Sequence, residues 1–256
     1  MLILLPPSEG KAVGSRGAPL DLDRLSFPEL TGRRRQVVDA LVAASGRADA
    51  LDVLGAPRGA AERVAANVEL WSAPTLRTAD LYTGVLYDAL GLDSLDASAK
   101  RRAARRLVVV SALFGALRPG DRVPSYRLSM DVDLPGVGPL ARAWREQLDR
   151  VLPAVAGRGV VVDMRSSTYV AAWRPSGEVA ERTVAMHVVR DGPGGRTAVS
   201  HMAKHTRGLA ARELLVSGAD PRSPEELAEA LGTRFAVELD AARPGRPRRL
   251  EVVEPG

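Results

Sequence analysis

The chain has 256 residues, a formal net charge of +5, and 45% hydrophobic and 26% charged residues. That balance excludes wholesale disorder and is enough for a full core in one large domain. It holds no cysteine, which excludes disulfides, zinc–thiolate sites, iron–sulfur clusters and thiol catalysis together.

The apolar run at 1–5 predicts a strand that Pro6-Pro7 ends. It has no basic leader and is too short to span a membrane, so a cytoplasmic protein is expected. Ser8-Glu-Gly-Lys11 follows. Of 36 basic residues only Lys11, Lys100 and Lys204 are lysine. A lysine kept against such an arginine bias points to a place where a compact ammonium serves better than a planar fork. Ser8 and Lys11 also match the S-x-x-K pattern of acyl-transferring serine enzymes. The match follows a strand instead of opening a helix, so it is set aside.

Helical periodicity covers 33–45 and 59–70, and the stretch from about 30 to 95 reads as a helical subregion. Within it, Leu51–Val64 has two helical stretches around Leu54-Gly-Ala-Pro-Arg-Gly59, in the manner of a helix-hairpin-helix. Gly55 and Gly59 would present backbone N–H groups to a phosphate, with Arg58 adding charge. A helix at 97–106 carries Lys100 beside Arg101 and Arg102, a solvated face. A strand at 107–112 then runs into the long loop Ser111–Met130, which contains Arg118, Asp121, Arg122, Tyr126 and Arg127. Loops leaving a sheet edge are where sites are built, and arginine suits bidentate phosphate contacts. Asp121 is a candidate acid or base, or one half of an ion pair pinning the loop.

A helix at 139–151 leads to a strand at 159–163, which ends in Asp163, Arg165 and the hydroxyls of Ser166 and Ser167, either a helix cap or part of a site. Strands at 183–190 and 197–202 flank Gly192-Pro-Gly-Gly195, which reads as a hairpin turn. His201, Lys204, His205, Thr206 and Arg207 then precede a helix at 207–216, an arrangement that favours phosphate at the helix start. Nothing calls for a metal or a cofactor. A helix at 224–232, a solvated tail at 241–249 and a strand at 249–253 close the chain. The fold class is α/β, of mixed α+β character: one domain over 1–256 with a central mixed sheet, surrounding helices and the helix-hairpin-helix-like insertion.

These segments together resemble the YaaA family of peroxide-stress proteins. The Pro7-Ser-x-x-Lys11 element, Leu81-Tyr-Thr-Gly84, the Gly115-Ala-Leu-Arg-Pro-x-Asp121 and Pro124-Ser-Tyr-Arg-Leu-Ser-Met130 block, the strand ending at Asp163 and Lys204-His-Thr-Arg-Gly208 occur in the family's order. The chain departs from it at Asp163-Met-Arg-Ser166, where Asn-Leu-Ala-Ser is common, and at His205-Thr206, where Lys-Ala is usual. The resemblance implies a cytoplasmic protein that binds duplex or distorted DNA through a positively charged cleft and limits oxidative damage under hydrogen peroxide. Ser8, Lys11, Arg58, Arg118, Arg127, Arg165, Lys204 and Arg207 would supply the anion contacts, with Gly55 and Gly59 in the hairpin. An alternative is an enzyme acting on a nucleobase, nucleotide or other small anionic substrate through Lys11, Asp121, Tyr126, Asp163 and Lys204. A small-molecule-binding protein without catalysis is a third reading.

Overall fold

The computed structural model of the chain describes residues 1–191, 195–198 and 200–254. Its strands are β1 (Leu2–Leu5), β2 (Thr75–Arg77), β3 (Leu107–Ser111), β4 (Gly115–Leu117), β5 (Arg122–Pro124), β6 (Asp133–Leu134), β7 (Gly138–Pro139), β8 (Val161–Asp163), β9 (Thr183–Arg190), β10 (Thr197–Ala198), β11 (Ala236–Leu239) and β12 (Arg248–Glu254). Eight of them form one mixed sheet in the order β11-β12-β9-β8-β1-β3-β4, with β10 beside β9. β1 lies inside it between β3 and β8, parallel to β3 with Ile3 opposite Leu107 and to β8 with Leu4 opposite Asp163. All four β1 residues are buried, the unbroken apolar run that a parallel strand covered on both faces requires. β8, β9 and β12 continue in parallel, while β4 and β11 are antiparallel edges. Two small antiparallel pairs, β2 with β5 and β6 with β7, lie outside this sheet.

The helices are α1 (Thr31–Ser45), α2 (Ala50–Val53), α3 (Ala61–Ala65), α4 (Thr78–Leu81), α5 (Val85–Leu90), α6 (Ala97–Arg106), α7 (Leu140–Ala156), α8 (Ser167–Val170), α9 (Gly177–Glu181), α10 (Ser200–Val216) and α11 (Pro224–Gly232). Local chemistry sets several of their starts. The Asp96 carboxylate accepts from the Ala99 amide at 2.7 Å to open α6. Ser223 Oγ accepts from Glu226 N at 3.1 Å to open α11, with Pro224 in its first turn. α7 buries Leu140, Trp144, Leu148, Val151 and Leu152, one face at helical spacing. Trp144 packs so tightly on Gly115, which takes φ 71°, that a Cβ there would lie 2.6 Å from its ring. Its indole N–H donates to Ala112 O at 2.8 Å, so the largest buried side chain leaves no orphaned donor. No helix among the described residues is long and apolar enough to cross a membrane.

Three expectations need correction. The segment read as a helix-hairpin-helix does not form two sustained helices: α2 has four residues, a 3-10 turn spans Arg58–Ala60, and α3 has five. Gly55 at φ 56° and Pro57 break the first helix, and Arg58 and Gly59 are exposed on the surface. The helix expected over 59–70 breaks again into a 3-10 turn at Ala66–Glu69, where Asn67 is buried and hydrogen-bonded to another loop. The strand expected over 197–202 stops at Ala198, and α10 starts at Ser200, seven residues before the expected helix. Lys204 and Arg207 are therefore inside a helix instead of ahead of one. The turn expected at Gly192-Pro-Gly-Gly195 has residues 192–194 outside the described residues; its flanking strands β9 and β10 are antiparallel.

Candidate functional site

Because β3 and β8 flank β1 on opposite sides, the chain leaves β1 toward one neighbour and later returns on the other. In open α/β sheets the crevice beyond the strand ends at such a reversal is the usual place for a ligand. A cleft of about 420 Å³ opens there. Its walls are Pro6–Lys11 after β1, Thr83–Tyr87 at the start of α5, Arg127–Ser129 from the loop after β5, Ser166 and Tyr169 after β8, and Lys204 and Arg207 on α10. α10 and α5 meet at Gly208, where a Cβ would clash with Leu86 O and lie 2.8 Å from Ala89 Cβ. Only a glycine lets the two walls approach so closely.

Lys11 is fixed from the backbone outward. It forms an isolated antiparallel bridge with Tyr82, flanked by hydrogen bonds from Ala12 N to Leu81 O at 2.8 Å and from Thr83 N to Gly10 O at 3.2 Å. Its Nζ donates to Ser8 O at 2.7 Å and lies 4.4 Å from the Tyr126 ring centroid and 5.6 Å from that of Tyr82. The ammonium thus hydrogen bonds to a carbonyl, not to a carboxylate. Burial lowers its pKa from 10.5 to about 7, assisted by Arg127 and Arg63 and opposed by Glu9.

A buried hydroxyl chain lies under Lys11. Tyr82 and Tyr126 share a hydrogen bond of 2.9 Å, and Tyr126 and Ser111 share one of 2.8 Å. Ser111 Oγ also accepts from Leu113 N at 3.2 Å and Phe114 N at 3.1 Å. Burial pushes both phenols above their ordinary values, so they stay neutral. The edge of Tyr126 packs against Phe114 with ring centroids 5.6 Å apart. Tyr87 donates to Pro6 O at 2.7 Å and holds the turn out of β1.

Arg127 is positioned by a residue that sequence reasoning missed. Asn67 Nδ2 donates to Arg127 O at 3.0 Å while Arg127 N donates to Asn67 Oδ1 at 2.9 Å, a clamp that copies strand pairing. The half-buried Arg127 side chain then lines the cleft. Arg207 donates from Nη2 to Met186 O at 3.2 Å, and its buried Nε has no protein partner. Burial lowers its pKa, with Asp163 opposing. Lys204, one turn earlier on α10, is exposed at the lip. Ser8 lines the cleft and gives its hydroxyl hydrogen to Gly10 O.

Several sequence candidates lie elsewhere or have their valences filled. Both Asp163 oxygens are taken by Arg165, from Nε at 2.8 Å and Nη2 at 2.7 Å. Arg165 also donates to Trp173 O at 2.9 Å and Tyr169 O at 3.2 Å and stacks on Trp173. This buried pair supports the wall behind the cleft without facing it. Asp121 accepts from Ser26 N at 2.9 Å, Ser26 Oγ at 2.8 Å and Arg118 N at 2.7 Å, and so anchors a loop. Arg118 follows β4, which runs back antiparallel to β3, so its guanidinium reaches Leu107 O at 3.2 Å at the opposite end of the sheet. It packs over Phe27 there. Arg58, Gly55 and Gly59 do not line the cleft. Tyr126 lies beneath Lys11, buried.

The chain is similar to known proteins along nearly its whole length. The family model described as peroxide stress protein YaaA matches residues 1–240. A UPF0246 protein of Streptomyces coelicolor is 51% identical over 257 residues, covering 99% of this chain and 98% of its own. A UPF0246 protein of Corynebacterium efficiens is 42% identical over 248 residues, covering 95% of this chain and 97% of its own. One from Corynebacterium glutamicum is 38% identical over 231 residues, covering 89% and 90%.

Proposed function

Since the chain belongs to the YaaA family of peroxide stress proteins, we propose that it acts under peroxide stress by holding one phosphate-bearing unit of DNA in this cleft. The observation that carries the reading is the gathering of Lys11, Arg127, Lys204 and Arg207 from three separate stretches of sequence around one hollow. Cations so placed favour an anion over any neutral ligand. The orphaned Arg207 Nε supports the same view, because a buried donor without a partner costs free energy until something accepts from it.

Size narrows the ligand. A volume of about 420 Å³ suits a nucleotide-sized group and is far too small for a duplex. Distorted DNA, with a nucleotide displaced from the stack, fits better than a regular helix, whose remaining phosphates would lie along the exposed lip near Lys204. Few contacts here read base identity, so binding would be largely independent of sequence.

The test is fluorescence anisotropy of bulged and fully paired duplexes across a salt series. Bulged DNA should bind more tightly. With about three cations meeting phosphates, log affinity should fall against log salt with a slope of roughly −3. Arg127→Ala and Lys204→Ala should each flatten that slope by about one. A flat response, or variants indistinguishable from the natural chain, would defeat DNA binding through this cleft. The burial of Lys11 favours a second reading, an enzyme on a small phosphorylated substrate in the same place.

A further inference from the structure

Lys11 is built unlike the other cations of the cleft. Lys204 is exposed at the lip, and Arg127 and Arg207 carry delocalised guanidinium groups that stay charged. Lys11 instead sits at the cleft floor, its backbone bridged to Tyr82 and its Nζ engaged by a single carbonyl, Ser8 O. Simple phosphate binding needs none of this, since burying an amine among apolar surroundings weakens it as a cation. It does suit an amine that must present a lone pair.

We propose that Lys11 is a nucleophile that forms an imine with an aldehyde borne on a phosphorylated sugar held in the cleft. The proposal rests on the reading of the cleft as an anion site. In the first step the Nζ lone pair attacks the carbonyl carbon, the C=O π pair moves to oxygen, and one proton passes from nitrogen to that oxygen to give a carbinolamine; the second N–H proton later leaves with the hydroxyl. The nitrogen then supplies its lone pair to form C=N as the hydroxyl leaves as water. One amine and one aldehyde give one imine and one water, with no oxidant or reductant required. Arg127, Lys204 and Arg207 provide for the phosphate, which sets the aldehyde over the amine. The faces of Tyr82 and Tyr126 beneath Nζ receive a protonated imine as they receive the ammonium. The pKa of about 7 agrees with this geometry, leaving roughly half the side chains as free amine at neutral pH.

The chain's lysine content makes the experiment direct, because only three side chains and the Met1 amino group, which is paired with Asp220, can react, and mapping tells the four apart. The full chain is incubated at neutral pH with sodium cyanoborohydride and either 2-deoxyribose 5-phosphate, a duplex holding one abasic site, or unphosphorylated 2-deoxyribose. Adducts are located by peptide mass mapping, and anion binding is measured in parallel by anisotropy with an intact duplex. Lys11, with the phosphate held beside it and part of its side chain already free amine, should be trapped about a hundredfold faster than the exposed Lys100. The unphosphorylated sugar should react far less. Lys11→Met, confirmed as folded by circular dichroism, should lose the adduct.

Trapping of the free sugar phosphate alone would support the inference with a small metabolite as source. Trapping of the abasic duplex alone would support it with damaged DNA as source. Adducts spread evenly over Lys100 and Lys204, or surviving in Lys11→Met, would overturn it. So would the lack of any adduct: with duplex binding intact the DNA reading survives alone, and with binding also lost both fail.

Discussion

A neutral amine at Lys11 makes folding stability depend on pH in a defined direction. Folded, Lys11 loses its proton near pH 7; unfolded, it keeps it to about 10.5. Between those values unfolding takes up a proton, so stability must rise with pH across the window. The destabilising effect of the buried charge is complete below pH 7 and is relieved as pH rises above it. The slope is about 1.4 kcal/mol per pH unit, and the whole window is worth about 5 kcal/mol. The charged neighbours that set this value are Arg127 and Arg63, which disfavour the ammonium, and Glu9, which favours it; the Tyr82 and Tyr126 phenols beneath are neutral below pH 10. Lys11→Met keeps a chain of similar length and removes the titration. Urea unfolding of both proteins at several pH values from about 6 to 9.5 gives the difference in stability. Loss of the bond to Ser8 O adds a constant offset, so the slope is the quantity to read. That difference should be flat below pH 7 and climb by about 1.4 kcal/mol per unit above it. Parallel curves for the two proteins would show that the ammonium stays charged in the cleft, and the physical basis for a nucleophilic Lys11 would go with it.

Other consequences can be checked with single variants. Asp163→Asn leaves the Arg165 guanidinium buried without its carboxylate and should lower stability by about 3–5 kcal/mol in urea; an unchanged midpoint would refute a supporting role for the pair. Tyr126→Phe strips a partner from both Tyr82 and Ser111 and should cost about 1–3 kcal/mol by thermal unfolding, whereas a neutral result would mean the hydroxyl chain contributes nothing. Asn67→Ala removes both bonds to Arg127 and should weaken bulged-duplex affinity about tenfold, although Asn67 does not line the cleft; equal affinity would show that Arg127 needs no clamp. Gly208→Ala should destabilise by about 1–3 kcal/mol, because its methyl group meets Leu86 O and Ala89. A fully stable Gly208→Ala protein would contradict the close contact of α5 with α10.

The sequence announced the central strands because β1 is wholly apolar and β3 and β8 are apolar up to their last residues, as strands covered on both faces require. It did not announce β2, β5, β6 or β7, whose two or three residues are too few to show any alternation. The first turns of α10 read as strand because Thr197–Met202 is apolar and β-branched at its start, and docking on α5 outweighs that local preference. Within the site, arginine bias drew attention to Lys11 and Lys204, and the structure sets both beside Arg127 and Arg207. Asp121, Asp163, Arg118 and Arg165 looked equally suited to chemistry, since residue type and place at a strand end were all the sequence offered. In the fold Asp163 and Arg165 already engage each other, Asp121 accepts from Arg118 N, and the Arg118 side chain bonds carbonyls at the opposite end of the sheet. Asn67 carried no signal at all, being a polar residue inside an apparently helical stretch.

The position of β1 bears on how the molecule comes to exist. β1 precedes every other strand of the sheet, yet its partners arrive at Leu107 and Val161, and the wall bearing Arg207 later still. A nascent chain therefore carries a bare hydrophobic tetrapeptide with nothing to pair it until β3 has been made, and with one side still open until β8 follows. Such long-range closure makes refolding slow and leaves the early chain exposed to aggregation. It also means that Lys11 keeps the properties of an ordinary lysine until the chain closes around it, since burial first and then Arg127 are what hold its pKa down.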